Sequence, residues 1–279
     1  MNYIISGSKG LIGEKLKERL DKEHECIFEV DPRLGSNLID LNSLYMNLNT
    51  QSVEIFFHLG AFCKINEAIK TPKLAHLNNA EGTFQALEFC RINNIKKFVY
   101  FSSSRVLSEE ETIYTATKKY GEHLCEAYKQ CYGIEYIIVR PSTVYREHHD
   151  LTERMLSKWV IKYLKGEKVQ LYGGADKTLD FTHVDDFVDG IMLLLSKWDE
   201  VKNTDYDISG DDQRKLIDVA DILGADVEIL PPEMAQPQQV KIDISKMRAL
   251  GYDPKIKLEE GVKRMIDFYK TEGNKWLKN

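Results

Sequence analysis

The sequence predicts an α/β fold: a doubly wound parallel sheet with a smaller mixed C-terminal domain. Three observations carry this expectation. Short, near-continuous apolar runs alternate with stretches of helical periodicity through the first half of the chain. The first run breaks into three glycines directly before a helical stretch, in MNYIISGSKGLIGEKLKERL. Beyond about residue 145 the strict alternation fades.

Taken in order, Tyr3 to Ser6 is a β-prone apolar run and reads as a buried strand. From Leu11 to Leu20, apolar groups at 11, 12, 16 and 20 have helical spacing. CIFEVD, Cys26 to Asp31, reads as a second strand, and VEIFFHLGA, Val53 to Ala61, as a third with a small-residue turn. LNNAEGTFQALEFCRINN reads as a helix with an Asn-rich stop, and Phe98 to Phe101 as a strand tipped by three serines. YTATKKYGEHLCEAYKQCYG reads as a helix stopping at Gly133, and IEYIIVRPSTVY as a strand halted by Pro141. RMLSKWVIKYLKG, VDDFVDGIMLLLSKW (capped near Asp185) and LEEGVKRMIDFYKTEG follow as helices, with LPPEMAQPQQ a loop. The expected division is a dinucleotide domain over 1–145 and a mainly substrate domain over 146–279, with 178–195 packing back on the first.

Composition narrows the function. Hydrophobic content of 43% and charged content of 29% are ordinary for a globular chain. A net charge of −6 with mixed signs argues against a nucleic-acid binder, which needs a basic face. The five cysteines form no CxxC pair, so neither a disulfide framework nor a zinc site is expected, and a reducing cytoplasm fits. Neither a membrane span nor a signal peptide is expected. His148, His149 and Asp150 read as a loop rather than a metal site, and His183 as structural.

The glycines have a chemical use. Gly7, Gly10 and Gly13 sit on a strand-to-helix turn, where the first helical N–H groups point outward and bind an anion such as a pyrophosphate. The spacing GxxGxxG differs from the GxGxxG fingerprint. Asp31, at the end of the second strand, suits a ribose with free hydroxyls and disfavours a 2′-phosphate, so NAD is expected over NADP; Arg33 stands nearby. Leu11, Ile12, Leu59, Gly60, Ala61 and Pro141 complete the expected cofactor surface.

Tyr114 and Lys118 are four apart on one helix face, directly after the serine-tipped strand. An ammonium near a phenol lowers its pKa, so the pair can exchange a proton with a substrate hydroxyl while hydride passes to or from nicotinamide. Ser103 can hold the same hydroxyl.

The set GSKGLIG, FFHLGA, NAEGT, KKFVYFSSSRV, YTATK, VRPSTVY, LDFTHVDD and LGYDPKIKLEEGV resembles the extended short-chain dehydrogenases/reductases of the NAD-dependent epimerase/dehydratase family, nearly end to end. The resemblance implies a Rossmann fold, a nicotinamide cofactor and a nucleotide-sugar substrate. It implies that Ser103, Tyr114 and Lys118 are catalytic, that Asp31 holds the adenosine ribose, that Asp40 and Leu41 line the adenine, and that Lys118 also holds the nicotinamide ribose. It further implies a homodimer built on a four-helix bundle.

This chain departs from the family in places. The 4,6-dehydratases carry Asp–Glu where it has Ser104 and Arg105, so dehydration lacks its acid and base. The usual Arg before the DF pair is Leu179, and the usual Asn and Gly of the RPxNVYG motif are Thr143 and Arg146. Ser103, Ser104, Arg105, Thr143 and Arg146 are the expected substrate contacts, with the two arginines supplying phosphate or carboxylate contacts. The expected activity is NAD-dependent epimerisation of a nucleotide sugar through oxidation at C4. The alternatives are a net dehydrogenase or reductase of a nucleotide sugar or small alcohol or ketone, and a non-catalytic NAD-binding sensor.

Overall fold

The structure, a computed structural model, describes residues 1–41, 50, 52–147, 154–236, 239–240 and 242–271. Its largest sheet has six parallel strands in the order β2-β1-β3-β4-β5-β9. These are β1 (Asn2–Ser6), β2 (Glu25–Val30), β3 (Val53–His58), β4 (Lys97–Phe101), β5 (Glu135–Pro141) and β9 (Thr204–Ile208). Strand order reverses between β1 and β3, so the loops leaving their carboxyl ends part there and open a crevice.

Helices cover both faces. The helix α1 (Leu11–Leu20) lies with α7 (Val184–Ser196) on one side, where Leu16, Leu20, Phe187 and Ile191 bury against Tyr3, Ile5, Phe57 and Val99. On the other side α4 (Gly82–Ile92) and α5 (Ile113–Tyr132) bury Leu87, Phe89, Cys125 and Tyr128 against Ile4, Phe56, Phe98 and Tyr100. The alternation along each strand divides its side chains between these two cores. Two short helices, α2 (Ile65–Lys70) and α3 (Pro72–His76), and one π turn (Leu77–Glu81) lead into α4.

The smaller part holds α6 (Met155–Leu164), the paired strands β7 (Val169–Tyr172) and β11 (Val227–Leu230), and a three-stranded sheet. That sheet joins β6 (Thr143–Tyr145), β8 (Thr178–His183) and β10 (Gln213–Lys215). With α9 (Leu216–Leu223) and α11 (Leu258–Thr271) they enclose a third core around Trp159, Phe181, Met265 and Tyr269. The short helices α8 (Trp198–Val201) and α10 (Ser245–Ala249) flank β9.

The sequence reading stopped the return to the large sheet at 195, whereas the chain stays there through β9. The strand TDYDI escapes periodicity because its acidic side chains meet Arg140 on β5, at 3.0 Å for Asp205 and 3.8 Å for Asp207. The N-cap of α7 is His183, whose Nδ1 accepts the Asp185 N–H at 3.2 Å. His183 is therefore structural, fully buried and held by Glu147 at 2.9 Å. His148, His149 and Asp150 lie outside the described residues.

Candidate functional site

The crevice between β1 and β3 is held open by a polar network. The Ser6 hydroxyl accepts the Gly60 N–H at 3.1 Å and contacts His58 Nδ1 at 2.8 Å. His58 Nε2 meets Thr83 Oγ1 at 3.0 Å, and that hydroxyl donates to the Asn79 carbonyl at 2.6 Å. Thr83 spends its proton on Asn79, so His58 donates from Nε2, and its Nδ1 accepts from Ser6. Burial pushes the His58 pKa down to about 3, with Lys118 adding repulsion, so the ring is neutral.

The glycine turn closes on itself. Gly7 has φ +73°, and a Cβ on Gly13 would lie 2.1 Å from the Gly7 carbonyl oxygen. Only glycine fits either position. No side chain caps α1, so its opening N–H groups face the crevice.

Two adjoining cavities follow. The smaller, about 240 Å³, runs from Gly7, Gly10, Leu11, Ile12 and Gly13 past Leu59, Gly60 and Ala61 to Pro141, Tyr114 and Lys118. The larger, about 550 Å³, is lined by Ser103, Ser104, Arg105, Thr143 and again Tyr114. Tyr114, Pro141, Ile12, Cys63 and Arg154 border both.

A model of the NAD dependent epimerase/dehydratase family matches residues 3–225. The chain belongs to this family. A putative UDP-glucose 4-epimerase of Methanocaldococcus jannaschii is 24% identical over 99% of this chain and 98% of its own length. A UDP-glucuronate 4-epimerase of Thermodesulfobacterium geofontis is 25% identical, covering 96% of each. Among solved structures, the UDP-glucuronic acid 4-epimerase of Bacillus cereus superposes with a TM-score of 0.86 at 24% identity, over 98% of this chain and all of that one. That likeness is one of fold.

The residues lining the smaller cavity suit the cofactor of this NAD-dependent family. The glycine turn, the uncapped start of α1 and the Tyr114–Lys118 end supply an anion site and a reactive end within one continuous wall. Lys118 is buried, with Nζ donating to the Phe101 carbonyl at 2.7 Å and lying 5.1 Å from the Tyr100 ring centroid.

Several expected residues of this epimerase/dehydratase chain stand elsewhere. Arg146 lines neither cavity; its Nη1 donates to the Leu11 carbonyl at 3.2 Å and pairs with Glu14 at 3.4 Å, so it braces α1. Leu41 is buried in the core with Val30 and Phe56, and Asp40 is exposed outside both linings. The wall there is Asn37 and Leu38. Asp31 is fully buried and already engaged. Arg33 grips both its oxygens, Nε at 2.9 Å and Nη2 at 3.1 Å, while the Lys9 N–H donates at 3.0 Å.

The phenol differs from expectation too. Burial pushes the Tyr114 pKa up to about 12, against the pull of the Ser103 hydroxyl donating to it and of Arg154 and Arg105. Burial likewise lowers the Lys118 ammonium to about 8. Arg154 and Arg105 both favour the ionised phenol, while the Phe101 carbonyl accepts from the Lys118 ammonium.

Sequence reasoning missed His58, Asn79 and Arg154. Asn79 sits in the π turn, accepting the Phe62 N–H at 2.6 Å and donating to Phe62 O and Thr117 Oγ1 at 3.1 Å each, so it ties the Gly60 loop to α5. Its neighbours in NAEGT were a signal. Arg154, which donates to the Val144 carbonyl at 3.0 Å, carried none.

Proposed function

We propose that this protein is a nucleotide-sugar 4-epimerase. The observation that carries the reading is that Tyr114 faces both cavities where they meet, with Ser103 lining the larger one beside it. A sugar in the larger cavity thereby presents one hydroxyl to the phenol and the geminal C–H toward the smaller cavity. NAD held in the smaller cavity would supply the hydride acceptor and donor. Tyr114 takes the hydroxyl proton, Ser103 orients that oxygen, and Arg154 and Arg105 favour the phenolate. The putative UDP-glucose 4-epimerase and the UDP-glucuronate 4-epimerase named above cover 99% and 96% of this chain, which supports the reading.

The test is a panel of UDP-, GDP-, CDP- and dTDP-sugars with the NAD-loaded protein, followed by NMR at C4. Inversion without net NADH production is expected, and Tyr114→Phe lowers turnover by about 10²–10⁴-fold while NAD binding persists. Stoichiometric NADH formation favours the dehydrogenase, and no turnover of any sugar defeats both.

A homodimer through α4 and α5 belongs to the same proposal. Ile92, Tyr120 and Tyr132 expose large apolar surface on these helices, at 60%, 44% and 48%. A reducing compartment agrees with five unpaired cysteines. Among the described residues, no helix is long and apolar enough to cross a membrane.

A further inference from the structure

The carboxylate expected to hold the adenosine ribose is not open to it. Val30 and Pro32, on either side of Asp31, line the smaller cavity, but Asp31 itself is fully buried. They stand at the end of β2, an edge strand that β1 and β3 separate from β4, where the Phe101 carbonyl holds Lys118. Three strand spacings come to about 14 Å, so this is the adenosine end of a dinucleotide whose nicotinamide lies beside Tyr114.

The Asp31 carboxylate is saturated. Oδ1 accepts the Arg33 backbone N–H at 3.0 Å and Arg33 Nε at 2.9 Å, and Oδ2 accepts the Lys9 N–H at 3.0 Å and Arg33 Nη2 at 3.1 Å. Two bonds on each oxygen fill the acceptor sites of a carboxylate. A ribose hydroxyl therefore reaches Asp31 only by displacing the guanidinium. Arg33, by contrast, has donors to spare. Nη1 donates to the Lys9 carbonyl, so three of the five guanidinium N–H groups are used among the described residues, and one remains on each of Nη1 and Nη2. The Arg33 side chain is 45% exposed, whereas the Lys9 ammonium is drawn to Glu29 at 3.6 Å.

An acidic residue at this place hydrogen-bonds the ribose 2′-hydroxyl, and an arginine nearby accommodates a 2′-phosphate. Here the second covers the first: the carboxylate is neutralised, and the group that neutralises it suits a phosphate. We infer that the cofactor site accepts NADP alongside NAD, with Arg33 as the residue that sets the ratio between them. Arg33 stays on Asp31 and gives its two remaining N–H groups to the 2′-phosphate. This concerns the dinucleotide alone and stands whether or not the protein inverts C4.

The experiment is displacement of NADH from the purified full chain by NAD and by NADP, followed by the loss of NADH fluorescence. The two dissociation constants lie within about tenfold of each other. Arg33→Met bares Asp31 and removes the phosphate's partner, so NADP loses about 10- to 100-fold against NAD, the range of a charge-assisted contact. Arg33→Lys, which keeps the charge without the fork, gives an intermediate ratio and serves if Arg33→Met fails to fold. ADP-ribose and its 2′-phosphate, which lack the nicotinamide, show the same ratios. NADP binding more than about 100-fold weaker than NAD in the wild type overturns the inference. So does a ratio that neither Arg33 variant changes, or one that ADP-ribose and its 2′-phosphate do not reproduce.

Discussion

Lys118 shows how much one residue asks of its surroundings. Its ammonium is buried against the Phe101 carbonyl and the Tyr100 ring, and its pKa falls to about 8. The unfolded chain binds this proton more tightly, so stability rises as pH climbs from 8 toward 10.5, and below 8 the full cost of burial remains. A buried charge of this kind is retained for function at the expense of stability. Lys118→Met is therefore expected to raise the melting temperature by about 2–4 °C and to abolish epimerisation. Scanning calorimetry and the C4 assay on the same preparation check the pair; a lowered melting temperature would show that the Phe101 contact outweighs desolvation. Tyr114 carries the complementary lesson. Its i, i+4 spacing from Lys118 was legible, yet shared helix face did not mean contact between the charged ends, since a carbonyl of β4 captured the lysine.

At the scale of elements, the site depends on how β1, β3 and α4 are joined. Ser6, His58 and Thr83 each belong to one of them, and the bonds at 2.8 and 3.0 Å hold the crevice at a set width. The histidine must stay neutral there, with Lys118 nearby and Tyr100 stacked 5.8 Å away. Its folded pKa of about 3 lies below the 6.5 of the free side chain. As pH falls, the unfolded chain takes the proton first. The contribution is complete above 6.5 and is lost progressively as pH falls toward 3. Thermal melts from pH 7.5 to 4.5 are expected to show falling stability, with a shallower slope in His58→Gln. An equal slope would assign the acid lability to other groups. Glycine spacing predicted the turn at α1 correctly, because steric exclusion at Gly13 is a local matter.

The whole molecule is two packed parts joined by long-range tethers. Asp186 on α7 accepts the N–H groups of Lys255 and Ile256 at 3.0 and 2.8 Å, and Asp212 accepts that of Leu258 at 2.8 Å. These bonds anchor the segment leading into α11 and keep the smaller part beside the cavities. Outside, α4 and α5 leave Ile92, Tyr120 and Tyr132 to solvent. Sedimentation of the purified protein is expected to give a dimer, and Ile92→Glu with Tyr132→Glu a monomer, since two buried like charges facing their copies oppose association. A wild-type monomer would refute this interface.

By itself the sequence determined the parallel sheet and the strand-to-helix turn at Gly7, Gly10 and Gly13. Each follows from local rules: backbone sterics, side-chain period, and the way strand ends gather on one edge of a parallel sheet. Tertiary structure alone decided that Arg146 braces α1, that Asp31 is gripped by Arg33, and that Leu41 belongs to the core. It also decided that Arg105 Nη1 is buried without a hydrogen-bond partner among the described residues. The reason is the reach of the side chains involved. A long charged side chain satisfies whichever partner the fold brings within a few ångströms, and that partner is remote in the chain, 135 residues away for Arg146 and Leu11.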